Sequence, residues 1–329
     1  MSATSSHRVA ARFVPVLLAV ALAIATLIAP IDSSAATLHA GDVVIVVGQA
    51  VIAYSPHLTA GVQLSYGQNI HTPVHVAVDA RYHILVTDGV SGVVDIDPSS
   101  GSQTILLLPG QLGGNSATGI CAGADGRIFV ALSGPSPGVT SIVPGGVVPV
   151  PITSGGLLTR PGGMTLGADG MLYVCEEATP VNDCGVNVNS KGSIVRVDQA
   201  SGAQTRVATA CAFWYPFDIA SVGSDELWTT QTGQISGTLG CILRTRISDG
   251  STSESNVGYC RSSSIAAASD GSVYWGDCEP IHRDCFNVFT GHWPSGEMLW
   301  NIAGPMALVP DLPVPVRHVD WGTVKILYR

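Results

Sequence analysis

The stretch RPGGMTLGADGMLYVCEE, Arg160 to Glu177, decides the fold because the chain repeats it. Near-copies are ATGICAGADGRIFVAL (Ala117 to Leu132) and SSSIAAASDGSVYWGD (Ser262 to Asp277); PVHVAVDARYHILVTD (Pro73 to Asp88) is a looser version. Aligned, the phrase starts at Pro73, Ala117, Pro161, Pro216, Ser262 and Pro305, at spacings of 44, 44, 55, 46 and 43 residues. A period in the forties built from short strands is the signature of propeller blades. In each unit a small residue or proline opens a strand. A turn follows, clearest at Ala124 to Gly126, Ala168 to Gly170 and Ser269 to Gly271, and then an alternating apolar strand such as IFVAL, LYVCE or VYWGD. A third strand enters a second tight turn: DIDPSSGSQT (Asp95 to Thr104), RVDQASGAQT (Arg196 to Thr205) or RISDGSTS (Arg246 to Ser253). Glycine supplies the positive φ of such turns and Asp or Ser bonds the local backbone. These acids lack EF-hand spacing and read as turn formers, not calcium ligands.

The two ends set the expected blade number. GDVVIVV (Gly41 to Val47), AVIAYS (Ala50 to Ser55) and GVQLSYG (Gly61 to Gly67) read as second, third and fourth strands without a first, and PMALVPD (Pro305 to Asp311) supplies a first strand. The expectation is an all-β, six-bladed β-propeller, its ring closed by N-terminal strands that complete the C-terminal blade and so remove exposed sheet edges. No sustained helical periodicity occurs outside the N-terminal segment.

Residues 1–36 read separately. Arg8 and Arg12 precede an apolar run from Phe13 to Ile28, and Ser33-Ser34-Ala35-Ala36 offers small residues for a cut after Ala36. That order is a secretory signal, and the run is shorter than the roughly 20 residues a membrane-spanning helix needs. The expected mature chain, 37–329, is one propeller domain, secreted or held in the periplasm or cell envelope, with no membrane span and monomeric. Losing the segment removes two basic residues and one acid, so the formal charge of −9 becomes −10. So acidic a chain, without a Lys/Arg run, excludes nucleic acid and anionic membrane surfaces as partners.

The pattern Pro-x-Gly-Met-x-x-x-x-Asp-Gly-x-Leu-Tyr-Val at Pro161 to Val174, matched without its proline at Gly119 to Val130, resembles the NHL-repeat propellers and the related gluconolactonase and regucalcin-like superfamily. VYWGD (Val273 to Asp277) is similar to the YWTD propeller strand. The resemblance covers nearly all of residues 41–311 and implies the propeller fold. The functions it spans are lactonase, lyase, strictosidine-synthase-like and plain binding roles. In the metal-dependent lactonases the residue after the opening proline is often Asp or Asn, which binds a divalent cation through oxygen. Here those positions are Val74, Thr118, Gly162, Phe217, Ser263 and Met306, with no carboxylate or amide. A hard cation needs several oxygen ligands, so no metal and no cofactor is expected. The next position holds His75, Gly119, Gly163, Asp218, Ser264 and Ala307. Only His75 and Asp218 suit proton chemistry; they either share a channel mouth or are each a hydrogen-bonded packing residue.

All eight cysteines follow Ala36, and an even count in an exported chain reads as disulfides. Short loops bracketed on one face predict Cys175–Cys184 and Cys278–Cys285 bridges. Cys211–Cys260 is a weaker pairing, leaving Cys121 and Cys241. The same loop face gathers Glu176, Glu177, Trp214, Tyr215, Asp277, His282, His292 and Trp293 as candidate ligand-binding residues. They either receive a small polar molecule or an extracellular protein, or form a solvated acidic rim over packed aromatics. His282 joins His75 and Asp218 as a catalytic candidate, although it matches no ligand motif, and GxSxG is absent. The functional expectation is a secreted binding scaffold with a disulfide-stapled loop face and no metal-dependent catalysis. The alternative is a gluconolactonase-like hydrolase or lyase with a rearranged site.

Overall fold

The computed structural model describes residues 37–55, 61–177, 192–208, 213, 215–231, 242–255, 264–269, 271–277, 287–291, 298–300 and 304–311. The expected signal segment lies outside them. The described chain is all β apart from a 3-10 turn at Pro109–Leu112. Strands β1 (Val43–Val47), β2 (Ala50–Tyr54) and β3 (Gly61–Tyr66) come first. Next are β4 (Pro73–Val78), β5 (Ile84–Asp88), β6 (Gly92–Ile96) and β7 (Gln103–Leu107), then β8 (Ser116–Ala122), β9 (Ile128–Ser133), β10 (Gly138–Ile142) and β11 (Val150–Ser154). They are followed by β12 (Pro161–Leu166), β13 (Leu172–Glu176), β14 (Ser193–Val197) and β15 (Gln204–Ala208). Then come β16 (Pro216–Val222), β17 (Glu226–Gln231), β18 (Ile242–Arg246) and β19 (Thr252–Ser255). The last are β20 (Ser264–Ala267), β21 (Val273–Asp277), β22 (Asn287–Gly291), β23 (Met298–Trp300) and β24 (Met306–Leu308). Five runs of four consecutive strands, from β4 onward, form antiparallel meanders, and β24 pairs with β1 to give the sheet order β24-β1-β2-β3.

Local chemistry explains the meanders. In the first-to-second-strand turns Gly126, Gly170 and Gly271 sit at φ of 81°, 75° and 87°, a region that L side chains resist. The preceding acids close the turn: Asp125 accepts from Arg127 N at 3.0 Å and Asp169 from Met171 N at 3.1 Å. The third-to-fourth-strand turns are built on Asp97 and Asp198, whose carbonyls accept from Gly101 N and Gly202 N. Ser99 and Ser100 bond the Asp97 carboxylate and hold its pKa down at about 2. A methyl on Gly202 would lie 2.3 Å from the Ile152 carbonyl, so this turn requires glycine for packing as well as for φ.

Period-two alternation sends successive side chains of each strand to opposite faces. Ile84 and Val86 of β5 pack with Val44, Val46 and Val51 of the N-terminal sheet, while Leu85 turns to Ile120, Ile128 and Val130. Leu172 and Val174 of β13 join Phe129 and Ala131, while Tyr173 and Cys175 join Ile219, Leu227 and Leu243. Further along, Ala220 and Ile242 pack on Ile265, Val273 and Trp275, and Ala266 and Tyr274 on Val43, Ile45 and Met306. The core is thus a set of apolar layers between sheets. The inner strands β4, β8, β12, β16, β20 and β24 adjoin in that order, and β24 also lies against β4.

Candidate functional site

Every inner strand is an edge of its sheet, paired on one side only. Its opposite row of N–H and C=O groups faces the axis. Four inner strands begin with a register shift: between Pro73 and His75, Ala117 and Gly119, Pro161 and Met164, and Pro216 and Ile219. Such bulges re-aim the neighbouring side chain. The third position of the repeat is aimed at the next sheet. A methyl on Gly119 would meet the Gly162 carbonyl at 2.4 Å, and one on Gly163 would meet Asp218 Oδ1 at 2.5 Å. Glycine is needed there because the neighbouring backbone occupies the space a side chain would fill.

With glycines at the two intervening positions, His75 reaches Asp218. His75 Nε2 lies 3.5 Å from Asp218 Oδ1, with the side chains 5% and 9% exposed. Each is stitched by the same bond: His75 N donates to Thr87 Oγ1 at 3.0 Å and Asp218 N to Thr230 Oγ1 at 3.1 Å. The carboxylate is locked further, Oδ1 accepting from Ile219 N at 2.8 Å and Oδ2 from Ile265 N at 3.1 Å. The His75 ring stacks on Phe217, centroids 5.1 Å apart and planes 26° from parallel. Neither ring nitrogen has a hydrogen-bond partner. An anion fixed beside an unsatisfied imidazole is an arrangement that can accept hydrogen bonds or move a proton.

Toward the loop end, Glu177 Oε2 pairs with Arg160 Nε at 3.0 Å, and Glu177 lies over Gly162 beside the Phe217 carbonyl. Burial raises the Glu177 pKa above the ordinary glutamate value, against the lowering by Arg160 and His75. Glu176, grouped with Glu177 in the sequence as a ligand-binding acid, is fully buried. It accepts from Thr159 N, Thr159 Oγ1 and Arg160 N at 2.9, 2.5 and 2.8 Å, which makes it a staple for the strand lead-in. Asp88 does the same two units earlier in the repeat, accepting from the backbone of His71, Thr72, Val90 and Ser91. The sequence reading missed this role. Its signal is an acid ending the second strand, opposite the opening proline: Pro73 pairs with Asp88 and Pro161 with Glu176.

Tyr215 precedes β16 at a φ of 48°. Asp277 ends β21 in backbone pairing with Asn287. Trp214, His282, His292, Trp293, Cys184, Cys211, Cys241, Cys260, Cys278 and Cys285 lie outside the described residues. Cys121 and Cys175 are buried and are not bridged to another cysteine among the described residues. Burial pushes the Cys121 pKa up to about 12 and the Cys175 pKa well above its usual value. Cys175 points into the layer with Tyr173, Ile194 and Phe213, so its side chain belongs to the core.

A cavity of about 200 Å³ follows the axis from His75 and Asp218 to the far ends of the inner strands at Val78, Ala122, Leu166 and Leu308. Among the described residues, the positions that follow the opening residue of each repeat do not fit a metal. Thr118 Oγ1 donates to the Pro161 carbonyl at 2.7 Å, Phe217 stacks on His75 and Met306 is buried among Val43 and Ile45. Among the described residues no group of three His, Cys, Asp or Glu could hold a metal ion.

No protein-family model matches the chain, and no curated protein matches it in sequence. Solved structures do match in fold. A streptogramin B lyase superposes with a TM-score of 0.54 at 15% identity, covering 79% of each chain. A gluconolactonase from Xanthomonas campestris gives 0.51 at 16% identity, over 69% of this chain and 75% of that one. TolB from Acinetobacter baumannii gives 0.60 at 11% identity, over 82% and 67%. At these identities the likeness establishes the fold alone: the protein is an all-β β-propeller. Proteins of that fold serve as enzymes and as binding modules, so function rests on the site.

Proposed function

We propose that the protein is an exported, six-bladed propeller that binds a small polar molecule or a protein partner at the loop-side mouth of its axis. In this reading the six sheets close as a ring through β24 and β1, residues 1–36 are cleaved, and disulfides among the loop cysteines stiffen the binding face. The observation that carries it is convergence. Glu177, Arg160, Phe217, His75 and Asp218 come from three sheets to one mouth, where an ion pair joins a stacked imidazole and a carboxylate. Ligand sites favour such clefts, with a few convergent polar groups on a rigid frame. The test is a binding screen of polar metabolites and peptides by calorimetry, with Arg160→Ala and Glu177→Gln as probes. Binding weakened about tenfold by either change supports the reading. A hit indifferent to both overturns it.

A second reading is favoured by one observation, the 3.5 Å approach of His75 to Asp218. It makes the protein a metal-independent hydrolase or lyase in which His75 takes the proton and Asp218 holds the imidazole. Turnover of a lactone or ester in the presence of a chelator, lost in His75→Gln and Asp218→Asn, would support it. Equal rates in wild type and both variants would end it.

A further inference from the structure

We propose that the axial cavity is a second binding site, sharing only His75 and Asp218 with the loop-side mouth, for a small neutral polyol that enters from the opposite end. His75 and Asp218 form its inner end, since the lining includes both of them but none of Val74, Thr118, Gly162 or Phe217 on the loop side. The cavity therefore extends away from the loop face.

Three features select the ligand. The wall is the unpaired edge of six strands, which presents backbone donors and acceptors all round, so an apolar ligand would leave them unsatisfied. Thr165 and Ser221 add hydroxyls to that wall. The inner end offers hydrogen-bonding groups: a carboxylate with two of its lone-pair positions engaged by Ile219 N and Ile265 N, and an imidazole 4% exposed overall with no hydrogen-bond partner on either nitrogen. Leaving a buried nitrogen without a partner is costly, so a ligand hydroxyl placed there is favoured. Apart from His75, no residue lining the cavity bears a cationic side chain, which rules against an anionic ligand beside Asp218. Size follows from volume. A cavity of about 150 Å³ takes the six carbons of benzene. By that scale the 200 Å³ here suits about eight non-hydrogen atoms, a four-carbon tetraol.

The experiment titrates purified protein with erythritol, ethanolamine and succinate. It follows heat and the imidazole ¹H–¹⁵N signals of His75, assigned by their loss in His75→Gln. The expected result is saturable erythritol binding that shifts the His75 signals and weakens at least tenfold in Asp218→Asn. Should that variant fail to fold, the His75 shift in the wild-type protein decides alone. Unmoved His75 signals at saturating or the highest soluble erythritol overturn the proposal, as does tighter binding of ethanolamine or succinate. Erythritol binding lost in Arg160→Ala but kept in Asp218→Asn would place the polyol at the loop-side mouth. That outcome sinks this inference while leaving the proposed function standing.

Discussion

Replacing Asp88 by alanine removes the acceptor for four backbone amides at once. Its Oδ2 takes His71 N and Thr72 N at 2.8 and 2.7 Å, and its Oδ1 takes Val90 N and Ser91 N, both at 2.9 Å. The side chain is 0% exposed. These bonds tie the segment entering β4 to the turn between β5 and β6. A hydrogen bond to a charged group contributes about 1.5–3 kcal/mol net. If the two turn amides find water and the other two do not, the loss is about 3–6 kcal/mol, a large part of the about 5–15 kcal/mol that holds a domain together. At about 2–4 °C per kcal/mol for a domain approaching this size, the melting temperature falls by at least about 6 °C. Burial alone would raise the Asp88 pKa, but the four amide bonds together outweigh it and hold the pKa below the ordinary 3.8. A depressed folded-state value gives stability that is complete above the unfolded-state pKa and is lost as pH falls through the folded one. The gap between wild type and Asp88→Ala therefore stays constant near neutrality and narrows below about pH 4. Urea denaturation across pH measures both effects. A difference under about 1 kcal/mol at pH 7 would refute the staple, since it is less than one charged bond. A gap that stays flat on acidification would refute the linkage.

Three other outcomes follow from the same geometry. Gly163→Ala places a methyl 2.5 Å from Asp218 Oδ1 and 2.8 Å from the Phe217 carbonyl, and should cost about 1–3 kcal/mol in thermal denaturation by overpacking. Gly170→Ala meets nothing within 4 Å but holds a φ of 75°, so its cost of about 1–2 kcal/mol is conformational and should leave ligand binding intact. For Glu177 the sign reverses relative to Asp88, because its pKa is raised. Stability tied to its protonated form is present below the unfolded-state pKa and lost as pH rises through the folded one. Glu177→Gln should therefore gain on wild type as pH climbs above about 4.5 in chemical denaturation. The exposed Arg160 partner offsets this by no more than about 1 kcal/mol.

The architecture was legible because its causes are local. The Asp-Gly turns carry their own φ and hydrogen-bond requirements, and the alternation in ILVTD and LYVCE reports two buried faces directly. The site was legible only in part. His75 and Asp218 could be picked out as the polar members of an otherwise small-residue position. Their meeting depends on Gly119 and Gly163 leaving room, and on a bulge that aims both side chains, which no short window of sequence displays. Glu176 and Glu177 show the limit more sharply. They are adjacent acids of the same type, yet strand alternation buries the first as a staple and leaves the second at the mouth. Asp88 carries no such signal in its own neighbourhood, because its role rests on four amide donors from residues up to 17 positions away. Cys175 is similar: only strand parity shows that its side chain turns into a core layer.

The central claim is that sheets distant in the chain bring His75 and Asp218 together on one axis. A crystal structure of the chain tests it most directly. The expected result is β24 paired to β1, six sheets round the axis and His75 Nε2 within about 4 Å of Asp218, within hydrogen-bond or ion-pair reach. A different number of sheets, or the two side chains separated by an open channel, would contradict it.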